Sequence, residues 1–183
     1  MNKINSFLLQ DVCWRDKAQW RLNSIPPQVK NWLLETGSLT LRMKRSFAAP
    51  FSVTVKSQGL ATPFKHDSMV LQQGYKNYAF IREVTLNIAG QPFVVARTTI
   101  PKKSLVKLQK LTQLDNKPLG EVIFAKPGLR RLNLSIACID KSKLSDSMVL
   151  LLGEEQVIWA RRNTYEINNT VFLVSEFFLP QIF

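Results

Sequence analysis

Histidine is almost missing from this sequence: the 183 residues include one, His66, in the polar stretch TPFKHDS. That argues against a Ser–His–Asp triad and against a histidine-rich metal site, and His66 reads as a surface residue. Glycine is scarce too, with seven residues and no glycine-rich phosphate loop, which argues against a nucleotide cofactor. The two cysteines, Cys13 and Cys138, stand far apart without CxxC spacing, as expected of free thiols in a reducing cytosol. No long hydrophobic run exists. The longest, MVLLL at Met148 to Leu152, is too short for a transmembrane helix. The opening MNKINSFLLQDVCW has a short apolar centre and no small-residue cleavage pattern, so no signal peptide is expected.

Acidic residues are the minority charge, 13 against 25 lysines and arginines, giving a net charge of +12. Short basic clusters occur at RMKR, PKK and GLRR without a helix-turn-helix, zinc or RNP-type pattern, so no nucleic-acid partner is expected. A solvated basic surface accounts for each cluster, and the net charge also suits attraction of a small polyanion. With 45% apolar and 21% charged residues, the chain fits one globular domain over residues 1–183.

SIPPQVKNWLLETG reads as a helix: Ser24 as cap, Pro26-Pro27 in the first turn, Gly37 as stop. A second short helix starts at Ser38, and FSVTVKS reads as a strand. In NYAFIREVTLNIAG, Tyr78, Phe80, Arg82, Val84, Leu86 and Ile88 share one parity. Ala89-Gly90-Gln91-Pro92 then connects a hairpin to FVVARTTIP. KKSLVKLQKLTQL places Leu105, Leu108 and Leu111 on one helix face, and EVIF is a short apolar segment after DNKPLG. LRRLNLSIACI alternates with Leu132, Leu134, Ile136 and Cys138 on one side. Asn168-Asn169 joins EQVIWARRNTYEI to TVFLVSEFFLP as a hairpin, because asparagine tolerates left-handed conformations. Two hairpins, further strands and separate helices give an α+β domain on an antiparallel sheet.

Two charges sit where alternation demands apolar residues. Glu176 shares a face with Phe172, Val174 and Phe178, and Arg82 with Tyr78, Phe80, Val84 and Leu86. A buried ion is costly unless paired, so the two either face each other or share a bound polar ligand. A plain salt bridge or an exposed strand end is the ordinary alternative. Arg97 shares parity with Phe93, Val95 and Thr99, and Arg161 with Val157 and Trp159. Guanidiniums and one carboxylate around an apolar pocket suit an aromatic or cyclic acid, since arginine's fork fits a carboxylate. An enzyme with these parts runs without a cofactor.

The ordered motifs WLLETGSLTLR, IREVTLNIAGQPFVVARTTIP, NKPLGEVIF, IWARRNTYEI and FLVSEFFLP resemble the chorismate pyruvate-lyase family, which makes 4-hydroxybenzoate for bacterial ubiquinone. The likeness runs from Pro27 to Pro180 and is weakest over residues 59–76. It implies a single antiparallel sheet with helical flaps covering an internal ligand cavity. It further implies a cytoplasmic, monomeric carbon–oxygen lyase needing no cofactor or metal, with chorismate as substrate, 4-hydroxybenzoate and pyruvate as products, and no membrane insertion. By the same resemblance Arg82 binds the ring carboxylate and Glu176 contacts the hydroxyl at the opposite end. Backbone groups at Leu39 and Leu119 complete the pocket, and Arg97 belongs to the functional set, expected at the enolpyruvyl carboxylate. Where this chain has Leu39 the best-known relatives carry methionine, a change of pocket shape more than of chemistry.

Other readings share these features. Ligand-sensing domains of some bacterial transcription regulators resemble the same fold, so a non-catalytic aromatic-acid-binding domain is the alternative. Those normally follow a helix-turn-helix, for which the short N-terminal segment leaves no room. A lyase giving another hydroxybenzoate isomer is a third reading, and a basic RNA-binding domain a fourth.

Overall fold

The computed structural model describes residues 7–8 and 12–183. Two tight turns organise the sheet. Ala89 and Gly90 have φ of 48° and 78°, and Asn168 and Asn169 have 50° and 56°. Paired positive φ angles are what a type I′ turn requires, and its twist matches that of the flanking strands. The first turn joins β3 (Ala79–Ile88) to β4 (Gln91–Pro101), the second β6 (Val157–Ile167) to β7 (Thr170–Phe178). Both expected hairpins are present.

With β1 (Arg15–Asp16), β2 (Phe51–Ala61) and β5 (Arg130–Asp140), these strands form one antiparallel sheet of order β1-β5-β6-β7-β4-β3-β2. The last strand is therefore the central one. Both faces of the sheet are covered, which explains why its middle strands are buried at nearly every position. One face packs Val84, Leu86, Val94, Phe178 and, further along, Val174 and Phe172 under α1 (Pro27–Leu33), α2 (Leu39–Ser46) and α5 (Leu119–Phe124). The other face packs Val95, Ala137, Ile139 and Phe177 against α6 (Asp146–Leu152), with Phe64 ahead of α3 (Lys65–Val70) at its margin.

Bulges decide which residues share a face. In β4, Val94 stands opposite Leu86 and Pro92 opposite Asn87, so Phe93 is an extra residue. Phe93 packs against the same cluster as Val94, and strict alternation resumes only beyond them. Arg97 and Val95 are thereby on the face opposite Phe93, which corrects the shared parity expected of them. A second bulge between Arg131 and Asn133 leaves Leu132 exposed while Ile136 enters the core. Cys138, placed with Ile136 by alternation, is exposed as well, beyond the two-residue strand that covers β5.

Helix starts were legible in part. Ser38 caps α2, its Oγ accepting the Leu41 N–H at 3.4 Å. Ser24 caps nothing: Pro26 precedes α1, and the Ser24 hydroxyl donates to the Arg21 carbonyl. The expected helix through Leu105 and Leu108 is a 3₁₀ turn followed by the four-residue α4 (Gln109–Thr112), although Leu108 and Leu111 are buried as anticipated. Residues 59–76 extend β2 to Ala61 and then form α3, whose Asp67 and Ser68 are buried. EVIF is helical, within α5. Among the described residues no helix is long and apolar enough to cross a membrane.

Candidate active site

Between the two hydrophobic clusters of the first face lies a pocket roofed by the start of α2 and by α5. Arg82, Ala96, Thr98, Arg161, Tyr165, Val174 and Glu176 line its floor, and Leu39, Thr40, Leu119 and Ile123 its roof. The cavity measures about 40 Å³. That is well below the roughly 150 Å³ of an apolar cavity that accepts benzene.

Alternation explains why charges reach this space. Arg82 stands opposite Thr98, and Thr98 opposite Val174; one step along, Ala96 stands opposite Val84 and Glu176. Arg82 and Glu176 are thus two strands and two residues apart, roughly 12 Å between Cα atoms from sheet spacings. The small Ala96 leaves space between them. Both side chains enter the pocket without touching each other, a span suited to a ring with polar groups at opposite ends.

Glu176 has a different partner. Arg161 stands directly opposite it on β6, and Arg161 Nε donates to Glu176 Oε2 at 2.5 Å. Arg161 is 1% exposed, and its Nη1 also donates to the carbonyls of Trp32 (3.2 Å) and Glu35 (2.8 Å) at the end of α1. The pair thus ties the carboxylate to the end of α1, ahead of the roof helix α2. Arg131 fastens the same loop, donating to the carbonyls of Glu35 and Thr36 and, at 3.1 Å, to the Tyr165 hydroxyl. Burial, then the Glu176 charge, raises the Tyr165 pKa above its ordinary value, with Arg131 and Arg161 opposing. The phenol therefore faces the pocket as a neutral group.

Arg82 is the exception among the buried arginines. It is 2% exposed, yet its Nη2 donates only to backbone carbonyls, of Asp115 at 2.6 Å and Lys117 at 3.3 Å, and its Nε has no partner. Burial pushes its pKa below the ordinary arginine value, with the charge of Asp115 opposing. A desolvated cation without a carboxylate partner is what an anion-binding site requires.

Arg97 is not brought to the pocket. Register pairs it with Glu83, and its Nη1 donates to Glu83 Oε1 at 2.5 Å on the far face of the sheet. Ser57 donates to the other Glu83 oxygen, and Phe64 lies under the Arg97 guanidinium at 4.8 Å. Arg162 pairs with Asp67 on that face too, at 2.9 Å. Leu39 and Leu119 do line the pocket, each as the first residue of its helix, where the backbone N–H has no intrahelical acceptor. Their helices meet closely. A Cβ on Gly120 would stand 2.9 Å from Ser38 Oγ and 3.1 Å from Thr40 Oγ1, so only glycine fits there without displacement.

Alternation places Arg161 among the guanidiniums around the pocket, as the structure does, but does not single out Tyr165, which also lines it. The signal was present: Trp159, Arg161, Asn163 and Tyr165 share one parity in β6, three of them polar and all facing the same side as Glu176.

Solved structures of transcriptional regulators share the fold of this seven-stranded antiparallel sheet with its helices. The effector domain of PhnF from Mycobacterium smegmatis superposes with a TM-score of 0.56 at 15% identity, over 81% of this chain and 91% of that one. A GntR-family transcriptional regulator from Enterococcus faecalis V583 gives 0.54 at 14% identity, over 74% and 94%. At such identities the likeness is one of fold. Sequence similarity is narrower: residues 8–183 match the family model described as chorismate lyase. A probable chorismate pyruvate-lyase of Methylococcus capsulatus is 34% identical over 155 residues, covering 84% of this chain and 96% of the relative. Another, of Aromatoleum aromaticum, is 34% identical over 163 residues, covering 86% and 88%. The chain belongs to the chorismate lyase family.

Proposed function

We propose that the protein is a chorismate pyruvate-lyase that releases pyruvate from chorismate and leaves 4-hydroxybenzoate, supplying ubiquinone synthesis in the bacterial cytoplasm as a monomer without a cofactor. The observation that carries this reading is Arg82, a buried guanidinium without a carboxylate partner, sharing a narrow pocket with a carboxylate at the opposite end. Arg82 holds the ring carboxylate, and Glu176, kept in place by Arg161, receives the ring hydroxyl. Backbone groups at Leu39 and Leu119 close the pocket from above, with α2 and α5 acting as flaps.

The chemistry asks little of the protein beyond placement. The ether bond between the ring and the enolpyruvyl oxygen breaks, and the hydrogen on the hydroxyl-bearing carbon passes to the enolpyruvyl methylene. A carbon–carbon double bond forms in the ring, completing the aromatic system, and the side chain departs as pyruvate. That hydrogen and the ether lie on the same side of the ring, so a six-membered arrangement accomplishes the transfer with no external base. Holding the side chain over the ring is catalysis by orientation. Arg161, the other guanidinium lining the pocket, is the group available to stabilise charge shifting to the departing enolpyruvyl group. Roof closure keeps water out, and its reopening limits product release.

The decisive experiment incubates purified protein with chorismate and scores pyruvate and hydroxybenzoate together, identifying the isomer by chromatography. Equal yields of pyruvate and 4-hydroxybenzoate above the uncatalysed background support the lyase. Tight 4-hydroxybenzoate binding without pyruvate release makes the protein a sensor or carrier on the same fold.

A further inference from the structure

The segment following β4 has a charge pattern that the pocket does not use. From Val84 to Leu114 the chain contains no acidic residue, while Lys102, Lys103, Lys107 and Lys110 fall within nine positions. The segment is amphipathic. Leu108 and Leu111 are buried beside Leu119 and Ile123, and the four lysines are exposed. Lys76 shares a surface groove with Lys102 and Lys103, and Lys126 shares another with Lys107 and Lys110. Among the described residues none of these six lysines has a carboxylate partner. At the crest stands Val106, 90% exposed, in the same groove as Lys107 and Lys110. Tyr78, 37% exposed, lies by Lys102.

We propose that this lysine face docks the protein on an anionic lipid bilayer, with Val106 entering the headgroup layer. Six unpaired ammonium groups form a diffuse positive field, which suits a charged surface better than a shaped ligand. No arginine fork is among them, and Tyr78 is the only ring in these grooves, so the planar recognition and repeated stacking that nucleic acids exploit are missing. An exposed aliphatic side chain in a groove with Lys107, Lys110 and Lys126, and a tyrosine in the neighbouring lysine groove, match the mixed apolar and charged character of an interface. Docking here is peripheral and needs no spanning helix. It also sets the bilayer against the layer that packs on α5, which carries pocket residues Leu119 and Ile123.

The test is co-sedimentation of the full chain with vesicles of phosphatidylcholine alone, or with about one-third phosphatidylglycerol, at low and high salt. Binding is expected on the anionic vesicles only, and its loss in high salt. Each lysine removed should weaken it about fivefold, so Lys102→Gln/Lys103→Gln/Lys107→Gln/Lys110→Gln should reduce it on the order of a hundredfold or more. Val106→Asp, at a site too exposed to affect folding, should also weaken binding. Thermal unfolding and 4-hydroxybenzoate affinity of both variants should match the wild type, since neither change touches the pocket. Equal partition onto neutral vesicles overturns the proposal, as does undiminished binding by either variant. Tighter retention on a short DNA duplex than on anionic vesicles overturns it in favour of a nucleic-acid surface.

Discussion

Arg97 stands opposite Glu83, not opposite its neighbour Arg82, and the two ions meet at 2.5 Å. The Phe93 bulge makes the difference. Counting outward from the Ala89-Gly90 turn without it, Arg97 would face Arg82 and place two guanidiniums side by side in the pocket. With it, the pocket keeps Arg82 alone at that end, and Glu83 acquires a partner across the strands.

Arg97→Ala should therefore act on stability. It strands a buried Glu83, with an expected loss of about 3–5 kcal/mol in urea unfolding. Affinity of the remaining folded protein for 4-hydroxybenzoate, measured by titration below the unfolding transition, should be unchanged. A folded variant with lost affinity would restore Arg97 to the site.

Arg82→Gln should show the opposite behaviour. Hydrogen bonds to a charged group contribute about 1.5–3 kcal/mol, so 4-hydroxybenzoate should bind ten- to a hundredfold more weakly. Stability should change little, because no buried anion loses its partner. Calorimetric titration alongside urea unfolding separates the two effects, and unchanged affinity would remove Arg82 as the carboxylate anchor.

Glu176→Gln tests whether the carboxylate orients or transfers a proton. Arg161 already occupies one of its oxygens, and direct hydrogen transfer needs no base. Single-turnover kinetics with chorismate should retain the rate within about tenfold. A fall of 10²–10⁴, the range of a lost general acid or base, would show that Glu176 moves the proton.

Gly120→Ala should loosen the roof. Its Cβ would crowd Ser38 Oγ, which caps α2, and Thr40 Oγ1. Faster dissociation of 4-hydroxybenzoate in stopped-flow is expected, with higher turnover if release is limiting. An unchanged dissociation rate would mean that this contact does not control opening.

Tyr165 imposes an alkaline limit. Its folded pKa lies above the unfolded value of about 10, so between the two the unfolded chain binds fewer protons. The slope of stability against pH is then negative, and stability falls as pH rises through that window. Urea unfolding at successive pH values above 9 should show a shallower decline for Tyr165→Phe than for the wild type. Parallel curves would mean that the phenol carries none of the dependence.

Much of this was legible in the sequence because it is local. Alternation identified the strands, and paired asparagines required a left-handed turn. Period two put Glu176 and Arg82 among apolar neighbours, marking both as residues in need of a partner. Helix starts were visible where a side chain supplies the cap, as at Ser38, and misread at Ser24, where proline begins the helix unaided.

Tertiary structure decided the rest. A bulge adds one residue without leaving a sign in the alternation, yet it reversed the face of Arg97 and turned Leu132 outward. The pairing of Arg161 with Glu176 follows from the Asn168-Asn169 hairpin alone, but strand order placed β7 beside β4 and so brought Glu176 to the same pocket as Arg82, a choice that two hairpins read separately do not contain. The lone state of Arg82 depends on carbonyls from a loop more than thirty residues away. Sequence determines which groups must be satisfied. Hairpin register settles the pairs that lie within one hairpin, and packing of distant segments determines which group is left for a ligand.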